Sequence, residues 1–276
     1  MRIGVVAPGA RIPLETAEGV SVLAADLYPA LEIVFHPQCF LSDGHFAGPD
    51  EVRAAAFLEV ANDERFDALW FANGGYGAGR LTELVVPRLT EAARRKTYLG
   101  YSDAGSLLGA LYASGFQHVA HGPMPRDLTR ENGATAVRRA LTWLVERSPE
   151  SLEPSISPGD RTAAFNIVIL SHLLGTPWLP DLSGHILMLE DVSEHIYRID
   201  RCLLQLTSNP QIRGAAGIRL GRVSAVPPND PDFGRTEEEV VRYWCERSGI
   251  RYLGRADIGH DADNKVVPFG LAATIG

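Results

Sequence analysis

The apolar positions of the first half alternate between two rhythms. Short β-branched or aromatic runs at residues 2–7, 31–35, 68–72 and 97–101 read as buried strands, most of them closed by a proline or glycine. Between them, apolar residues at helical spacing predict helices over 13–27, from 49 to about 61, and over 103–112. Pro13 sits where a helix start tolerates it, and Val52, Ala56, Leu58 and Val60 line the apolar side of the second helix. Strands alternating with helices predict an α/β fold with a parallel, Rossmann-like sheet. In such sheets the reactive groups sit in the turns beyond the carboxyl ends of the strands.

The rhythm changes after the amphipathic segment 136–146. Residues 147–160 hold three prolines and four serines, a linker composition. Beyond it the pattern predicts helices at 165–174 and 193–206, a strand at 184–190, and short strands near 217–220 and 251–254. The expected division is an N-terminal domain 1–147, a linker 148–160, and a smaller, β-rich α+β domain 161–276. No internal repeat is visible.

Composition narrows the function classes. The 276 residues are 45% hydrophobic and 22% charged, as ordinary globular chains are. A formal net charge of -8 makes a poor nucleic-acid binder. The densest basic cluster, Arg94-Arg95-Lys96, reads as a solvated helix C-terminus. No apolar run has the length of a membrane span, and the opening run is too short for a signal peptide. Cys39, Cys202 and Cys245 are odd in number and widely spaced, which fits reduced thiols and a cytoplasmic location. The histidines offer no convincing ligand set, so no metal and no cofactor is expected.

Two turns are chemically loaded. Gly100-Tyr101-Ser102-Asp103 stands where a strand becomes a helix, a place that lifts a serine hydroxyl into the open. The same serine could equally be a helix N-cap, and the local pattern leaves both readings open. Asn73-Gly74-Gly75-Tyr76-Gly77 follows a buried strand with three glycines, either as a tight turn or as backbone donors for an anion. Further on, Glu190 and Asp191 end an apolar strand, where a carboxylate is costly unless it is paired or used. Glu190 could orient a histidine, and Asp191 could cap the following helix. His260 lies in a glycine-flanked loop, so the chain contains a serine, an acid and a base in that order.

Read together, these segments resemble the LD-carboxypeptidase family of serine peptidases, which includes the muramoyltetrapeptide carboxypeptidases. The resemblance runs nearly end to end. It rests on 3–8 as the opening strand, on 46–53 as an "AG-D--R" helix entry, and on Gly74-Gly75-Tyr76-Gly77 with Arg80. Further along it rests on Gly100-Tyr101-Ser102-Asp103, His121-Gly122-Pro123, Leu174-Gly175-Thr176-Pro177, Leu189-Glu190-Asp191-Val192 with Glu194, and Gly259-His260. It implies a catalytic triad of Ser102, Glu190 and His260 in an interdomain cleft, with the backbone of Gly75 and Asp103 holding the oxyanion. It also implies release of terminal D-alanine from murein tetrapeptides in cell-wall recycling, by a homodimer.

Departures from the family pattern bear on specificity. Asn73 replaces the arginine that usually precedes the two glycines, which leaves Arg80, beside Gly74, as the nearest residue for the substrate's carboxylate. Ala104-Gly105 replaces the usual threonine after Ser102-Asp103. Two alternatives share the scaffold: a microcin-immunity peptidase cleaving a peptidyl-nucleotide, and a non-catalytic murein-peptide binder. The first needs a loop bearing an aromatic residue, and the span from Arg222 to His260 is short for one, although it holds Trp244. The second needs a missing triad member, and none is missing. A thiol nucleophile has no glycine-flanked turn to use.

Overall fold

A computed structural model describes residues 1–271; positions 272–276, the end of the expected second domain, lie outside the described residues. The four predicted strands of the first half form β1 (Arg2–Val6), β2 (Glu32–Phe35), β3 (Ala68–Phe71) and β4 (Thr97–Gly100), and β5 (Val119–His121), which the apolar pattern does not mark, joins them. All four pairings among them are parallel, in the order β5-β4-β3-β1-β2. A sheet covered on both faces must present apolar side chains both up and down, and β3 does so with all four residues buried. Leu69 and Phe71 point towards the helices Asp50–Asn62 and Gly105–Ala113, packing with Phe57 and Tyr98. Ala68 and Trp70 point the other way, towards the helices Leu14–Leu27 and Gly133–Glu146. Each large side chain so buried contributes about 1.5–3 kcal/mol.

The second half contains β6 (Arg161–Asn166), β7 (Ile186–Val192), β8 (Gly217–Ser224) and β9 (Tyr252–Arg255). These pair in parallel as well, with helices Ile167–Leu173, Ile196–Ser208 and Glu237–Ser248 between them. The arrangement is a mixed α/β fold with a largely parallel sheet in each half. Phe165, Leu187, Leu189 and Ile218 of the second sheet share one continuous core cluster with Phe71 and Tyr98 of the first.

Among the elements that the pattern reading lacks, two have an identifiable reason. β6 falls partly where a helix 165–174 is expected, because Thr-Ala-Ala-Phe is short, alanine-rich and apolar on both faces. The helix Glu237–Ser248 carries a legible start, a capping box of Thr236 and Glu239 that the pattern reading passes over. The segment 148–160 is packed: Glu153 is buried, and Leu152 bridges to Val266. Of the basic cluster 94–96, Arg94 and Arg95 are exposed at the end of the helix Glu91–Arg94, as expected, and Lys96 alone is buried.

The last strands cross between the sheets. β10 (Val267–Pro268) adds antiparallel to β5, becoming the sixth strand of the first sheet. After one intervening residue, β11 (Gly270–Leu271) adds antiparallel to β6 in the second.

Candidate active site

Ser102 stands one residue past the end of β4, after Tyr101, and has φ of 59°, a left-handed conformation that a non-glycine residue adopts only where the surroundings impose it. Its hydroxyl caps no helix. It donates instead to Nε2 of His260 at 2.9 Å. Nδ1 of the same ring donates to Oε2 of Glu190 at 2.6 Å. Glu190 is fully buried at the register point where β7 meets Asn166 of β6. The three residues named from sequence therefore form one hydrogen-bonded line, although 158 positions separate Ser102 from His260.

Burial pushes the His260 imidazole towards the neutral form, as does the charge of Arg130. The Glu190 carboxylate overrides both and lifts it above the ordinary histidine value. A raised histidine accepts a proton readily and keeps it beside a buried anion.

The glycine turn is pressed against the serine. A Cβ on Gly74 would lie 2.9 Å from both Cβ and Oγ of Ser102, so only glycine fits. Gly75 has φ of 73° and packs on Ala10, where a Cβ would meet the Ala10 methyl at 2.7 Å. Asp103, expected to serve through its backbone, also works through its side chain: its carboxylate accepts from the N–H of Ala78 at 2.7 Å. Burial raises the Asp103 pKa in spite of that bond. Arg53 of the "AG-D--R" stretch is buried and donates to the carbonyls of Pro8, Gly48 and Gly77, fixing the turn from beneath. Arg80 reaches Asp50 at 2.6 Å, so its guanidinium is already engaged by a carboxylate.

A second layer holds His260 in place. Arg130 donates to the His260 carbonyl at 2.8 Å and to Oδ1 of Asp127 at 2.8 Å. Asp127 is buried and also accepts from the Tyr101 hydroxyl at 2.6 Å. The Tyr101 ring lies against the imidazole, with centroids 4.9 Å apart. On the other side of the loop, Oδ1 of Asn264 accepts from Nε2 of His121 and from the Gly259 N–H, both at 3.1 Å. Arg139 donates to the carbonyls of Ala262 and Asn264. Sequence reading misses Tyr101, Asp127, Arg130, Arg139 and Asn264 as supports, for no motif marks a contact made 130 positions away.

Asp191 faces away from the histidine. It accepts from Asn166 Nδ2 at 2.9 Å and from the N–H of Val168 at 3.2 Å. It thus serves the start of the helix Ile167–Leu173, not that of the helix after it as the sequence suggests. Trp244 is half-buried, and its indole N–H donates to Asp200 between two packed helices.

The chain has relatives along its whole length. Residues 3–122 match the family model of the LD-carboxypeptidase N-terminal domain, and residues 161–275 match that of the C-terminal domain. A Synechocystis protein named as a carboxypeptidase is 30% identical, over 97% of this chain and 92% of its own. The murein tetrapeptide carboxypeptidase of Pseudomonas aeruginosa is 26% identical over 84% of this chain and 79% of its own. The crystal structure of a muramoyltetrapeptide carboxypeptidase from Oxalobacter formigenes superposes with a TM-score of 0.80 at 26% identity, covering 98% of this chain and 96% of that one. A microcin C7 self-immunity protein, 18% identical with a TM-score of 0.80, shares the fold. With both halves of the family model matched in order and a relative aligned almost end to end, this chain belongs to the LD-carboxypeptidase family.

Proposed function

We propose that the protein is a serine LD-carboxypeptidase that releases the terminal D-alanine of murein tetrapeptides, with Ser102, Glu190 and His260 as its triad. The single observation that carries the reading is the His260 ring, bonded to Glu190 on one nitrogen and to Ser102 on the other at 2.6 and 2.9 Å. A serine hydroxyl is a weak nucleophile until a base removes its proton, and this is the arrangement that does so. The murein tetrapeptide carboxypeptidase among the relatives supports the substrate class.

His260 Nε2 takes the hydroxyl proton as Ser102 Oγ attacks the carbonyl carbon of the peptide bond. Glu190 stabilises the imidazolium that results. The N–H groups of Gly75 and Asp103, on the two turns that meet at Ser102, receive the negative oxygen. His260 then hands the proton to the leaving amine of D-alanine. Water, activated by the same ring, releases the acyl group from Ser102 and restores the site. Cell-wall peptide recycling in the cytoplasm, by a homodimer, is the setting this reading implies. No described helix is long and apolar enough to cross a membrane. The two family-model matches support dividing the chain into domains at 1–147 and 161–276, joined through 148–160.

Incubation with murein tetrapeptide is expected to release D-alanine, and Ser102→Ala is expected to abolish release while leaving the circular dichroism spectrum unchanged. Unaltered turnover in that variant would sink the assignment. Glu190→Gln and His260→Ala should each lower kcat by about 10³-fold or more, as triad deletions do.

A further inference from the structure

A carboxypeptidase must recognise the free carboxylate one residue beyond the bond it cuts, a Cα step of about 3.8 Å. Arg80 is held by Asp50. The residue adjoining Gly74 on the upstream side is Asn73, an uncharged amide. The cation for that carboxylate must therefore come from elsewhere on the rim.

Two arginines meet the requirement. Arg11 follows β1 and Arg126 follows β5, so both stand at the carboxyl edge of the sheet that carries Ser102. Both are anchored by backbone bonds to the segment leaving β3. The Arg11 carbonyl accepts from Asn73 Nδ2 at 3.1 Å, and the Arg126 N–H donates to the Ala72 carbonyl at 3.0 Å. Ala10, next to Arg11, donates to the Gly74 carbonyl at 3.0 Å. Arg11, Asn73 and Arg126 line one cavity of about 570 Å³. Among the described residues, neither guanidinium takes part in an ion pair or a hydrogen bond, so both are free to meet an anion although acidic residues outnumber basic ones by 34 to 26. Glu15 also lines the cavity and pairs with neither. The helix Leu14–Leu27 begins at the same wall without a side-chain cap, which adds positive potential there.

The geometry points to Arg11 and Arg126 as an anion subsite that takes the C-terminal carboxylate of the peptide substrate, in the cavity whose wall includes Asn73, the neighbour of the Gly74 that presses on Ser102. This inference rests on the proposed carboxypeptidase activity and adds the part of the site that makes the enzyme an exopeptidase. The subsite sets affinity for the free acid over an amide or an extended peptide. It does not take part in the proton transfers.

Binding to the Ser102→Ala protein, measured by calorimetry, tests it with two probes, murein tetrapeptide and its C-terminal carboxamide. The free acid is expected to bind about tenfold or more tighter than the carboxamide, as charge-assisted hydrogen bonds to a carboxylate predict. Arg11→Gln and Arg126→Gln, each added to that background, should weaken the free acid and leave the carboxamide unchanged. Equal affinity for both probes, or an equal loss for both on substitution, would overturn the subsite. If the wild-type protein still releases D-alanine in that case, the activity stands and only the subsite falls. Absence of both binding and release overturns the two together.

Discussion

His260 sits between opposing influences: burial and Arg130 favour the neutral ring, and Glu190 favours the charged one and prevails. As the proposed base, His260 works only when neutral, so kcat/KM should rise with pH through its pKa. Because that pKa is lifted, the acid limb is expected above about 6.5, the ordinary histidine value. Replacing Arg130 with Gln removes a positive charge and a bond to the His260 carbonyl. The limb should then move to higher pH while kcat falls, and a pH–rate profile reads both. A limb that stays in place would mean Arg130 holds only the loop. The proposed triad was named from sequence, since serine, acid and base stand in family motifs in that order. Tyr101 and Asp127 were not, because a tyrosine ending a strand and an aspartate in a short turn carry no signal until distant segments meet.

At the scale of the element, β7 carries two adjacent carboxylates to opposite sides of its sheet, as the two-residue period of a strand requires. Glu190 turns to His260, while Asp191 turns to the start of the helix Ile167–Leu173. Burial, helped by the neighbouring Glu190 charge, pushes Asp191 up from 3.8 to about 7. A carboxyl raised in the folded state binds its proton more tightly there than in the unfolded chain. Its contribution to stability is fully present below about pH 4 and is lost as pH rises towards 7. Asp191→Asn should flatten that part of the stability curve relative to wild type, as measured by urea unfolding at several pH values. The strand was readable from its apolar run, but which helix Asp191 serves was not. β6, which brings that helix beside it, was hidden by its alanines. Gly74→Ala is a second test at this scale: a methyl group 2.9 Å from Ser102 Oγ should lower kcat at least tenfold with little change in folding, an effect of about 1.4 kcal/mol on the barrier.

Across the whole molecule, the loop bearing His260 belongs to the second half in sequence but is fastened to the first. Arg130, Arg139 and His121 reach it from three separate segments of the N-terminal half. Arg139→Met removes the donor to two loop carbonyls. It should cost about 1.5–3 kcal/mol of stability and lower kcat more than it changes KM, as thermal unfolding and steady-state kinetics would show. Strand-helix alternation made the first sheet legible. The crossing of β10 was not, because a two-residue strand containing proline has no pattern of its own.

That crossing also has a consequence in time. The chain is made from Ser102 towards His260, and β10 comes later still. A growing polypeptide therefore exposes its serine turn long before the imidazole and the strand that completes the sheet around it. On the proposed mechanism, every nascent chain that ends between Ser102 and His260 carries the attacking group without its base, and activity waits until the imidazole and β10 have been laid down.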